Sequence, residues 1–131
     1  MTNIAIIEDD PYFRKLLSSR LKKDLNVSVK SYHDHQHFLN NREKVELVII
    51  DYNLENIDGL QAFRLISALQ LAKSTVLISS NENLEEIIEN SGVFPKHHLL
   101  KDNLIIQNLT KIWQEEFAKR PLRKLVQRVL S

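Results

Sequence analysis

Three apolar runs in this chain stop abruptly on polar chemistry. "NIAII" (3–7) ends at Glu8, Asp9 and Asp10, "VELVII" (45–50) ends at Asp51, and "STVLI" (74–78) ends at Ser79 and Ser80. Short runs this rich in Val, Ile and Leu suit strands covered on both faces, as in parallel sheets. Parallel neighbours need long crossovers, usually helical. The segments between the runs have the length and pattern to supply them.

After the first run, Asp10 is placed to cap a helix with Pro11 at its first position, where a fixed φ and a missing N–H do no harm. Phe13, Leu16, Leu17 and Leu21 give that helix an apolar face. Residues 27–32 (VSVKSY) alternate like an edge strand. Asp34 is placed to cap a short helix through about Asn41. The loop YNLENIDG leads to a helix from about Leu60 to Leu71, with Leu60, Phe63, Ile66 and Leu69 inward. Asn81 or Asn83 opens a helix near Leu84–Asn90 that Gly92 ends. His97–Leu100 make a last strand before Lys101. Residues 103–118 make a helix with Leu104, Ile105, Leu109, Ile112, Trp113 and Phe117 apolar. Trp113 is most simply core. Five strands, each followed by a helix, predict a doubly wound α/β domain with right-handed crossovers. A chain of 131 residues is too short for an eight-stranded barrel.

Composition narrows the class further. The chain is 43% apolar and 27% charged, as in ordinary globular proteins. No apolar run approaches a membrane span, and acids by position 8 argue against a signal peptide. With no cysteine, disulfides, thiolate nucleophiles and zinc–sulfur sites are excluded. A cytoplasmic protein is expected. Charge is uneven. Lys119, Arg120, Arg123, Lys124 and Arg128 make the last stretch +5 against a body of about −4. Leu122, Leu125, Val126, Val129 and Leu130 recur at helical spacing, so residues 119–131 read as a short basic amphipathic helix or a linker, appended to a domain spanning 1–118. It packs back on the domain, mediates dimers or binds an acidic partner, or leads to an output domain. Nothing after residue 121 fits a helix-turn-helix, so this chain is not expected to read nucleic acid directly.

In a parallel sheet all four polar strand ends lie on one edge, where doubly wound folds bind ligands. Carboxylates from Glu8, Asp9 and Asp51 would then share a pocket with the Ser79 hydroxyl and the Lys101 ammonium. Three acids against one lysine invite a divalent cation. All-oxygen ligands suit Mg²⁺, which keeps waters and takes phosphate oxygens as partners. Asp51 becomes a candidate nucleophile toward phosphorus, Lys101 a point charge for a phosphoryl oxygen, and Ser79 a donor whose movement would drag its loop.

The motifs "IIEDDP", "VIIDYNLENIDG", "VLISSN" and "LLKD" together resemble the receiver domains of two-component response regulators, of the chemotaxis-regulator-like type, over about residues 3–118. The resemblance implies a flavodoxin-like sheet of order 2-1-3-4-5. It implies Asp51 as phospho-acceptor, with Mg²⁺ held by Glu8, Asp9, Asp51 and the Asn53 carbonyl. It implies Ser79, with Ser80 beside it, and Lys101 as the phosphate-binding and switch set. Phosphate would come from a sensor histidine kinase, a phosphotransfer protein or a small phosphodonor. Output would pass, to a second copy or another protein, through the fourth helix, fifth strand and fifth helix (Leu84–Glu89, His98, Leu104–Gln107). Such a module is not a metabolic enzyme; its only chemistry is on its own aspartate. The chain departs from the family pattern at four positions. Asp102 replaces the Pro after the lysine, and without Pro a cis bond there costs roughly 2.5–4 kcal/mol. His98 takes the usual aromatic place, Ser80 that of Ala, and Glu55 that of Pro.

Two other functions stay open at this point. A phosphatase or phosphotransferase using Asp51 would want a second acid two residues on as general acid–base, and Asn53 stands there. A pseudo-receiver would keep the fold as a protein-binding module without phosphate. The plain reading of Glu8, Asp9 and Asp51 is a set of solvated turn acids, and that of Ser79 an ordinary strand-to-loop residue. The stretch YHDHQHF invites a metal reading. His33, His35 and His37 cannot share one face of a loop entering a helix, although His33 and His37 can meet four apart. Three solvated histidines are expected there.

Overall fold

A computed structural model describes residues 2–117. The expected extra helix at 119–131 lies outside these residues. Ten elements alternate: β1 (Ile4–Ile7), α1 (Pro11–Leu25), β2 (Val29–Tyr32), α2 (His35–Asn41), β3 (Val45–Asp51), α3 (Gly59–Ala68), β4 (Ala72–Ser79), α4 (Leu84–Ser91), β5 (His97–Leu100) and α5 (Ile105–Glu116). The strands form one parallel sheet of order β2-β1-β3-β4-β5, as expected.

The sheet has a core on each side because alternate residues of a strand face opposite ways. Ile4, Ile6, Leu47, Ile49, Val76 and Ile78 pack with Leu17 and Leu21 of α1 and with Ile105, Leu109, Ile112 and Trp113 of α5. Ala5, Ile7, Val48, Ile50 and Leu77 pack with α2, α3 and α4 through Phe38, Leu60, Ile66, Leu84 and Ile88. The central strands β1 and β3 are therefore buried on both faces, which is why they read as unbroken apolar runs. No helix among the described residues is long and apolar enough to cross a membrane.

Helix ends follow the local chemistry. The Asp10 carboxylate accepts from the Tyr12 and Phe13 amides at the start of α1, and Asn26 closes it in the left-handed region. Asp58 and Gln61 form a reciprocal capping box on α3. Gly92, at φ 72°, closes α4.

Several expectations need correction. Leu69 does not face inward but is 55% exposed. α3 ends at Ala68, and the turn through left-handed Gln70 carries Leu69 outward. Leu16 is 39% exposed, because it lies about 100° around the helix from buried Leu17. Leu104 is exposed because it precedes α5 rather than lying within it. His35 is buried, not solvated: it opens α2 on the same face as Phe38, three residues on.

Candidate functional site

The sheet register aligns the polar strand ends. Ile7 pairs with Ile50, so Glu8 and Asp51 follow level with one another on neighbouring strands. Asp51 pairs with Ile78 and Ser79 with Leu100, which brings Ser79 and Lys101 to the same edge. The Lys101 amide also donates to the Ser79 carbonyl at 2.9 Å.

Carboxylate oxygens of Glu8, Asp9 and Asp51 lie within 4.8 Å of one another. Glu8 and Asp51 are buried and Asp9 is half-buried. Lys101 reaches across them: its Nζ donates to Glu8 Oε1 at 2.7 Å and lies 3.1 Å from Asp51 Oδ1. The ammonium also sits over the Phe13 ring, 4.8 Å from its centroid. This is the only cation seen at the acids among the described residues.

One lysine does not neutralise the group. Burial, reinforced by the facing Asp51 carboxylate and opposed by Lys101, pushes the Glu8 carboxyl up to about 8. Burial alone would lower the Lys101 ammonium, but the hydrogen bond to Glu8 and the Asp51 charge outweigh it and raise it. Glu8 Oε2 is buried and has no hydrogen-bond partner. An orphaned acid oxygen beside two further carboxylates is the donor set that a hard divalent cation requires. The residues present therefore fit Mg²⁺.

The other expected residues fall as follows. The Asn53 amide donates to Asp51 Oδ1 at 3.3 Å, and Asn53 bridges to Asp58, closing the loop after β3. Ser79 is buried, and its Oγ accepts from the Asn81 amide at 3.0 Å on the way into α4. Ser80, next along, is exposed, and so is His98 on β5. The Lys101–Asp102 bond is trans. His33 and His37 come together around Asp34. A surface groove of about 710 Å³ lies elsewhere, along α1, and is lined by Arg14, Lys15, Lys22 and Lys23 with no acid.

Three contributors escaped sequence reasoning. Phe13 was assigned only to the core face of α1, yet its ring also floors Lys101. Arg14 donates to the Glu8 carbonyl at 2.7 Å and steadies the end of β1. Gly59 lies so close to the acid strand that a Cβ there would stand 2.5 Å from the Asp51 carbonyl oxygen. A signal for Gly59 existed: the chain has two glycines, and one follows "NID" directly after the acid loop.

Comparison with known proteins adds an independent line. A family model described as the response regulator receiver domain matches residues 4–112. The transcriptional regulatory protein FlgR of Helicobacter pylori is 33% identical over 129 residues, covering 92% of this chain and 32% of that protein. GlrR of Escherichia coli, also a transcriptional regulatory protein, is 30% identical over 96 residues, 70% of this chain and 21% of that one. The chain thus spans a third or less of the length of these relatives. A CheY-like receiver domain protein from Methanospirillum hungatei superposes with a TM-score of 0.74 at 16% identity, over 88% of this chain and 93% of that one. That likeness speaks for the fold.

Proposed function

The chain belongs to the response regulator receiver domain family, and from that premise we propose that it is a phosphorylation-switched receiver that accepts a phosphoryl group on Asp51. The observation that carries the reading is the knot of three carboxylates within 4.8 Å, bridged by Lys101 and left with one buried acid oxygen unpaired. A pseudo-receiver would have no reason to keep so poorly balanced a cluster.

In this reading an Asp51 oxygen attacks phosphorus in line with the donor's leaving group. A P–O bond forms to Asp51, the donor's P–N or P–O bond breaks, and its electron pair leaves with the donor. The donor is a phosphohistidine of a sensor kinase or phosphotransfer protein, or a small acyl phosphate. Glu8, Asp9, Asp51 and the Asn53 carbonyl would hold Mg²⁺, which supplies positive charge against the phosphoryl oxygens. Lys101, already 3.1 Å from Asp51 Oδ1, pairs with one of those oxygens. The Ser79 hydroxyl turns to donate to another. Because the Asn81 amide rests on Ser79 Oγ, that turn disturbs the entry to α4.

Output follows from the face of α4, β5 and α5, where His98, Leu100 and Leu104 are exposed. A second copy or an output protein meets the domain there. The longer relatives named as transcriptional regulators suggest that such output is transcriptional. Residues 1–118 make up the receiver and 119–131 an appendage. The chain works in the cytoplasm, catalysing only its own phosphorylation and dephosphorylation.

Intact-protein mass spectrometry after incubation with acetyl phosphate, with and without Mg²⁺, tests the proposal. A Mg²⁺-dependent gain of one phosphoryl group, absent in Asp51→Asn, is expected. No gain under any condition would overturn it in favour of a phosphate-independent binding module.

A further inference from the structure

Outside the acid pocket, the described residues hold one other cluster with metal-ligand chemistry, and it comes from the stretch "HDHQH". Spacing alone allows His33 and His37 to meet but does not bring them together. The cap does. Asp34 is extended (φ −149°, ψ 168°), and its carboxylate accepts from the His37 amide at 2.8 Å to start α2. The bend from extended chain to helix folds the His33 ring onto His37, with centroids 4.2 Å apart and a 50° tilt. The carboxylate lies against both rings: Oδ1 is 2.7 Å from His37 Nδ1 and Oδ2 is 3.2 Å from His33 Nε2.

We propose that His33, Asp34 and His37 form a second metal site, selective for a divalent transition ion of the Zn²⁺ or Cu²⁺ type. The ligand atoms lie within 4.8 Å of one another. Ligands on one ion at bonds of about 2.0–2.1 Å are separated by roughly 2.9–3.4 Å at angles of 90–110°, so the N–O separations already observed need little adjustment. Imidazole nitrogens select zinc and copper, whereas the acid pocket offers only the oxygens that suit Mg²⁺. The two sites are thus chemically orthogonal. Metal binding at His37 Nδ1 requires that nitrogen without a proton, which then resides on His37 Nε2 or passes to solvent. Three protein ligands leave at least one position for water, and a hollow of about 540 Å³ opens beside His37 between Tyr32 and Asn41. The site does not depend on the role proposed for Asp51.

Calorimetric titration of the full chain with ZnSO₄, and in parallel CuSO₄, in excess Mg²⁺ tests it. One ion per chain is expected in the wild type and in Asp51→Asn. In His33→Ala/His37→Ala the affinity falls by more than about 100-fold, beyond the roughly 10–100-fold that supporting residues alone contribute at metal sites. Both rings are more than half exposed, so the double variant keeps its fold, which circular dichroism verifies. Asp34→Asn preserves the cap and weakens binding. Zn²⁺ also raises Tm in the wild type and not in the double variant. Equal binding by the double variant, loss in Asp51→Asn, or no binding at all would each overturn the proposal; the last would leave the trio as a hydrogen-bonded helix cap.

Discussion

The Glu8 carboxylate is fully buried, with one oxygen taken by Lys101 and the other unpartnered. Its proton is held up to about 8, first by burial and then by Asp51. An acid with its folded value raised takes up protons on folding between about 4.5 and 8. It therefore contributes stability that is full below about 4.5 and lost as pH rises through about 8. In metal-free buffer, urea midpoints should fall over that window, and Glu8→Gln should flatten the fall; parallel curves for the two proteins would contradict the assignment. Gly59 acts in the opposite way, by what it lacks. A methyl there would meet the Asp51 carbonyl at 2.5 Å and the Tyr52 Cα at 2.7 Å. Backbone of β3 cannot yield as a flexible side chain would. Gly59→Ala is expected to lose about 1–3 kcal/mol, read from urea unfolding, and to lower phosphoryl uptake at the neighbouring Asp51. The acids were legible in the sequence because a strand end fixes where its next residue lies. Gly59 was legible only as one of two glycines just past the acid loop, since its close approach to a strand is a property of packing.

Three consecutive acids follow β1, yet they belong to different elements. Glu8 and Asp9 extend the strand end into the pocket, whereas exposed Asp10 caps α1 through the Tyr12 and Phe13 amides. The sequence separated them correctly because Pro11 marks the first helical position. Asp10→Ala should lose about 1 kcal/mol of stability and retain full phosphoryl uptake by mass spectrometry; loss of uptake would place Asp10 in the pocket after all. Apolar spacing located α3 and α5 but misjudged their ends. A periodic stripe carries no information on the residue where the chain turns, so Leu69 and Leu104 were counted inward although each lies just outside its helix. In α2 the stripe was too short to reveal that His35 joins Phe38 on the buried face. Spacing already allowed His33 and His37 to meet four apart, but the Asp34 cap that folds one ring onto the other is not encoded by any periodicity.

Among the described residues, α5 covers β1, β3 and β4 through Ile105, Leu109, Ile112 and Trp113, and Phe117 packs on Trp113. The last helix is also tied at its end. Burial alone would raise the Glu116 carboxyl, but hydrogen bonds from Lys96 and His97 at the start of β5 pull it down to about 2. Beyond this helix the charge of the chain changes from about −4 in the body to +5 in its last residues. We expect folding and phosphoryl acceptance to reside in residues 1–118, the span that holds the acid pocket and the core clusters of the described residues. A chain ending at residue 118 is expected to unfold in a single cooperative urea transition, with a midpoint close to that of the full chain, and to gain one phosphoryl group from acetyl phosphate. A broadened transition or a clearly lower midpoint would mean instead that the basic segment completes the domain, and its apolar stripe would then belong to the fold rather than to a partner.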